Sequence, residues 1–184
     1  MTDARIISEV GGGRNSRRVR RPAKAFMLDA MKTNEHRAPW DCVLSKEEEG
    51  ECLVGARPES DQEYFEILCL CFIQAGLNWA SIRKHWPKYR EGFLGFRIRN
   101  LARTTPEELL TRPGVIKNTR KVEAVVHNAR EFEAIKREHG SFAAYLETLK
   151  PLAEAERIKA LGRRFKQVGP ESADYFLHSV GFSE

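Results

Sequence analysis

No stretch of this chain is apolar over anything near the ~20 residues that a helical bilayer crossing needs, so no membrane span is expected. The first residues, MTDARIISEVGGG, lack the apolar core of a secretory signal, and the cytosol is the expected compartment. The four cysteines, Cys42, Cys52, Cys69 and Cys71, include no CxxC pair. Cys69 and Cys71 stand two apart on a predicted helix and point different ways, so they are poorly placed to share a metal. Free thiols in a reducing compartment are expected. Strand-like alternation is almost absent, and no internal repeat is visible. Those absences leave an all-α chain as the expected fold class.

What is present is a mildly basic sequence of 184 residues, with 31 Lys and Arg against 26 Asp and Glu, net +5. That length suits one domain, or one domain with a tail. The charge is compatible with a nucleic-acid partner without requiring one. Residues 1–24 carry Gly11-Gly12-Gly13 and the dense basic run Arg14, Arg17, Arg18, Arg20, Arg21 and Lys24. They read as a flexible arm that grasps DNA, or as a solubilising tail. Residues 25–60 read as an extended connection packing on the core, and 61–184 as the helical domain. Within it, Asp61 to Ala75 has no polar face over Ile67–Ile73, which predicts a helix at the centre of a bundle. Gly76 ends that helix. Asn78 caps the next, which is expected to stop before Pro87, with another short helix over Lys88–Phe96. Later helices are expected to about His139, from Ser141 to Pro151, over 152–165 and over 171–180.

Thr104 to Ala129 reads as two helices joined by a tight turn. Thr105, Pro106 and Glu108 make a capped start, and Arg112 before Pro113 ends the first helix near Thr111. Pro113-Gly114 makes the turn, and Val122, Val125, Val126, Ala129 and Phe132 share one face of the second helix. Amides after Gly114 at a helix N-terminus bind anions. Ile116, Lys117, Asn118, Thr119, Arg120 and Lys121 follow, supplying cations and polar groups. The turn suits a DNA phosphate held without base readout, or it is a helical hairpin with a solvated basic rim.

The hairpin is similar to the helix–hairpin–helix element of the DNA glycosylase superfamily. Phe65-Glu66, Leu70 and Gln74-Ala75-Gly76-Leu77-Asn78-Trp79 resemble the signature of the 3-methyladenine DNA glycosylase I family. Gly114-Val115-Ile116, Lys121-Val122 and Asn128-Ala129-Arg130 resemble that family's form of the hairpin. Phe165-Lys166, Val168-Gly169, Phe176 and Gly181 follow at its spacing, so the resemblance covers roughly residues 61–182. It implies a repair enzyme that unstacks an alkylated purine from double-stranded DNA and hydrolyses its bond to the sugar. Trp79 would be the aromatic wall for a cationic base, with Cys71 and Gln74 beside it.

The chain departs from the family at two points, and a third comparison, with the wider superfamily, bears on lyase chemistry. Cys71 stands where the family has a base-recognising glutamate, so charge and strong acceptors are lost. That points to altered substrate choice, or to a DNA-binding module without catalysis. Gln74, one turn on, supplies part of the hydrogen bonding or is a satisfied buried amide. The family's C-terminal zinc ligands are missing after Gly181, and neither zinc nor another cofactor is expected. Bifunctional superfamily members carry a nucleophilic lysine where this chain has Asn118, and no Asp lies between Thr104 and Pro170. An active enzyme would therefore be monofunctional. A monomer is expected. A protein–protein scaffold using the acidic segment 41–66 is the third alternative.

Overall fold

The computed structural model describes residues 55–182. Among these are eight α-helices and one 3-10 turn, with no strand. The all-α expectation holds. Residues 1–54, including the basic arm, most of the connection, Cys42 and Cys52, lie outside the described residues.

Helix α1 (Asp61–Gln74) is the central element. Ser60 caps it by accepting from the Glu63 amide, and Asp61 and Glu63 place negative charge at its positive end. Tyr64, Phe65 and every residue from Ile67 to Gln74 are buried, as the missing polar face requires. Helices α5 (Thr119–His139), α6 (Phe142–Leu149) and α8 (Pro170–Ser179) pack around it. Phe132 of α5 stacks on Phe142 of α6, with centroids 4.2 Å apart, and Phe65 meets Phe132 edge-on at 5.1 Å. Helix α7 (Glu154–Arg164) packs on α8.

Helix α2 (Trp79–Gly92) corrects one expectation. It runs straight through Pro87 instead of stopping before it. The proline lies on the exposed face, where the carbonyl it leaves without a donor can be hydrated. Anchors on both sides hold the helix together. Trp86 stacks on Phe96 at 5.0 Å, and Arg90 donates to Glu66 of α1 at 2.9 Å. Burial raises the Glu66 pKa above its usual value, and the Arg90 guanidinium opposes that shift. The short helix expected over Lys88–Phe96 is therefore the end of α2 followed by a 3-10 turn, Leu94–Phe96.

Helix α3 (Ile98–Arg103) was not anticipated. It has six residues and no side-chain N-cap, so its sequence carries no start signal. Helix α4 (Pro106–Thr111) begins with the expected capping box: the Glu108 amide donates to Thr105 at 3.2 Å, and the Thr105 amide to Glu108 at 3.1 Å. Ser141 caps α6 as expected.

Candidate nucleic-acid interface and base site

The α4–α5 turn sits directly on the end of α2. A Cβ on Gly92 would lie 2.7 Å from the Gly114 carbonyl carbon, and one on Gly114 would lie 2.6 Å from the Lys88 carbonyl oxygen. Gly114 also takes φ 79°, open to glycine at little cost. Arg112 fastens the turn by donating to the Gly92 carbonyl at 2.8 Å. The opposite side is open: Lys117, Asn118, Thr119 and Arg120 are exposed, while Val115 is buried and Ile116 half-buried.

Each polar residue of the turn has a definite place. The Asn118 side chain caps α5, accepting from the Lys121 amide at 3.1 Å. Lys117 bends back to donate to the Leu110 carbonyl at the end of α4. The Thr119 and Arg120 amides find no acceptor among the described residues. Two bare amides therefore lie at the positive end of a 21-residue helix, and Arg120 itself is exposed. Features of this kind suit an anion such as a phosphate oxygen.

Lys121 corrects the sequence expectation. Its ammonium does not face outward beside Arg120. The residue is 8% exposed, and its Nζ donates to the carbonyls of Ile73 and Ala75, the latter at 2.7 Å. Burial pushes its pKa below the ordinary value. The last turn of α1 has no basic residue of its own, so Lys121 supplies the cation its C-terminus favours. The signal was present in the sequence: Lys121 stands four residues before Val125, on the inward face of α5. The outcome is a strut from the N-terminal end of α5 to the turn that follows α1.

That turn carries the candidate base site. Gly76, at φ 72°, reverses the chain, and Asn78 starts α2 by accepting from the Ser81 amide at 2.9 Å. Trp79 is the first residue of α2 and is half-buried. Its ring meets Tyr175 of α8 edge-on at 5.6 Å and is not sealed in hydrocarbon. Tyr175 was missed in the sequence; nothing but an aromatic on an amphipathic helix announced it. Leu77, at the tip of the turn, is 39% exposed, unusual for a leucine here. Gln74 is 1% exposed, and its Oε1 has no hydrogen-bond partner. A buried acceptor left unpaired is costly, which makes this oxygen a candidate partner for a donor. Cys71 lies one turn earlier in α1 and is 2% exposed. Burial pushes its thiol pKa far up, so it stays neutral. The structure thus brings Gln74, Leu77 and Trp79 onto one turn and ties that turn to the hairpin, with Cys71 inside α1 behind it.

The sequence model of the methyladenine glycosylase family matches residues 55–174, a span that contains all of these side chains except Tyr175, which lies one residue beyond it. The chain belongs to that family. It is 28% identical over 148 residues to the DNA-3-methyladenine glycosylase of Haemophilus influenzae, covering 68% of this chain and 80% of that protein. The DNA-3-methyladenine glycosylase 1 of Escherichia coli is 33% identical over a shorter 79 residues, 41% of this chain and 42% of that one. Among solved structures, the 3-methyladenine DNA glycosylase I of Staphylococcus aureus, solved to explain recognition of 3-methyladenine, superposes with a TM-score of 0.60. It is 25% identical, over 71% of this chain and 81% of that chain. In this methyladenine glycosylase family member, the candidate base site holds a neutral Cys71 and a Gln74 whose Oε1 has no partner among the described residues.

Proposed function

We propose that this chain is a DNA repair glycosylase that removes alkylated purines of the 3-methyladenine type from double-stranded DNA by hydrolysis. The observation that carries the reading is the half-exposed indole of Trp79, on a turn that Lys121 fastens to the anion-binding end of α5. In this reading the Thr119 and Arg120 amides hold a phosphate near the lesion. The damaged nucleotide leaves the stack, and its base lies against Trp79. Alkylated adenine is cationic, so the electron-rich face of the indole attracts it more than an undamaged base. Gln74 Oε1 accepts from the exocyclic amino group. Leu77, exposed beside the indole, fills the gap left in the duplex.

The alkylated base is already a good leaving group, so stacking and desolvation supply much of the selectivity. Cys71 contributes shape and no charge. No nucleophile is needed: Asn118, where bifunctional relatives of the superfamily carry lysine, caps a helix with its side chain. Cleavage leaves an intact abasic site. The test is release of free 3-methyladenine from methylated duplex DNA. Release without strand scission supports the reading; DNA binding with no released base overturns it.

Gln74→Met gives opposite effects on folding and activity. Removing an unpaired buried acceptor leaves stability unchanged or raises it by up to about 1 kcal/mol. Excision of alkylated adenine falls roughly tenfold, since one hydrogen bond to the base is worth about 1.4 kcal/mol or a little less. Thermal melting and single-turnover excision read the two effects separately. A clear loss of stability would show that Oε1 already has a partner in the folded protein.

A further inference from the structure

A second basic surface lies well away from the hairpin turn. Helices α3 and α5 pack against each other, and the groove between them, of about 640 Å³, is lined by Arg99 and Arg103 of α3 and by Arg130, Glu133, Lys136 and Arg137 of α5. A smaller groove of about 420 Å³ adjoins it, sharing Arg99, Glu133 and Lys136 and adding Arg97, the carboxylate of Asp61 and the buried Phe132. Arg130 forms part of the floor: its guanidinium donates to the Ala102 and Thr104 carbonyls at 3.0 and 3.2 Å. Arg99, Arg103, Lys136 and Arg137 are exposed, and none enters an ion pair among the described residues. Glu133 is the one carboxylate in the larger groove.

We infer that this groove is a second contact for the phosphate backbone of duplex DNA, separate from the contact at the hairpin turn. Like charges gathered on two facing helices repel one another, and a groove focuses their field on a polyanion. Arginine dominates the set, and its planar fork matches phosphate oxygens. Arg99 and Arg103 stand one helical turn apart, about 6 Å along the axis, and Lys136 and Arg137 face them from α5. Two rows of cations suit a chain of phosphates better than a single anion. The larger groove has no aromatic lining residue. That disfavours a single strand, whose bases need stacking platforms, and a protein partner, whose anchors are usually aromatic. Arg137 lies 17 residues along α5 from Arg120, about 25 Å away at 1.5 Å per residue, so DNA held at the turn must extend or bend to reach it.

The inference rests on DNA being the substrate, but on side chains that the repair reading does not use. Its test is the salt dependence of binding to undamaged duplexes of about 10 and about 30 base pairs, which reach about 17 and about 50 Å either side of a central contact at 3.4 Å per pair. The comparison is with a variant carrying Arg99→Gln, Arg103→Gln, Lys136→Gln and Arg137→Gln, all at exposed positions. Each phosphate contact adds about 0.9 to the slope of log affinity against log salt, so the wild type should show a slope steeper by about 2–4 on the long duplex than on the short. The variant should lose that excess and match the wild type on the short duplex. A variant that behaves like the wild type on both lengths, or loses equally on both, overturns the inference. Excision by a wild type with no long-duplex excess overturns it while leaving the repair reading intact. A wild type that binds neither duplex overturns both.

Discussion

Trp79→Ala should lower excision of alkylated adenine roughly 5- to 150-fold while leaving affinity for undamaged duplex nearly unchanged. The range follows from base–aromatic stacking, which is worth about 1–3 kcal/mol per base by alanine substitution. The cationic lesion belongs near the upper end, because a desolvated cation–π contact adds about 2 kcal/mol. Undamaged duplex keeps its bases stacked, and in the proposed mode of binding its phosphates meet the α5 end and not the indole. The ring is half-buried and touches Tyr175 edge-on, so its removal also destabilises the fold modestly. Trp79→Phe separates the two causes. A phenyl ring restores much of the packing but presents a smaller, weaker face, so stability should recover further than excision does. Equal loss of undamaged-duplex binding and excision in Trp79→Ala would mean that the indole supports the fold or the DNA contact, and not the base.

Lys121→Met should give the largest effect on folding. The substitution keeps a long side chain in place but leaves the Ile73 and Ala75 carbonyls without their donor at the end of α1. The Ile73 carbonyl is left buried and unpaired, while the Ala75 carbonyl, on an exposed residue, can turn to water, so the cost is about 1–3 kcal/mol. For a chain of this size that lowers the melting temperature by roughly 2–12 °C. Activity should fall as well, even at temperatures where the variant is fully folded. The strut sets where the Gly76 turn, and therefore Trp79, stands relative to the phosphate contact on α5. A loosened turn should lower the maximal excision rate more than it weakens DNA binding. Lys121→Arg, which can still donate to both carbonyls, should recover part of both losses. Normal excision in a folded Lys121→Met variant would show that the turn keeps its place without the strut.

How legible the molecule was in its sequence depended on how local each signal is. The hairpin was readable because a capping box, a proline at the first helical position and a Pro-Gly turn all act within a few residues. Helix α1 was readable because a run without a polar face has one home, the centre of a bundle. The passage of α2 through Pro87 was not readable, because what overrides the proline is distant in sequence. Trp86 rests on Phe96, and Arg90 on Glu66. Helix α3 was hidden by its shortness and missing cap, and with it the basic groove. At the candidate site, the family resemblance named residues but not the directions of their side chains. Lys121 and Arg120 are neighbours in the chain, yet one ends among the carbonyls of α1 and the other faces outward. Cys71 lies within the apolar run Ile67–Ile73 of α1 and Gln74 directly follows it, so burial was expected. That the Gln74 oxygen would lack a partner depends on tertiary packing alone.

The chain has three tryptophans, Trp40, Trp79 and Trp86, so three indole N–H resonances should be resolvable and assignable with Trp79→Phe and Trp86→Phe. Titrating the free base 3-methyladenine into the full chain while following those resonances tests the base site directly, without reliance on turnover. The account predicts that the Trp79 signal moves saturably while that of the buried Trp86 stays in place, and that adenine itself produces a much smaller change. A Trp79 resonance unmoved at saturating base, or one that moves equally with adenine, would contradict it.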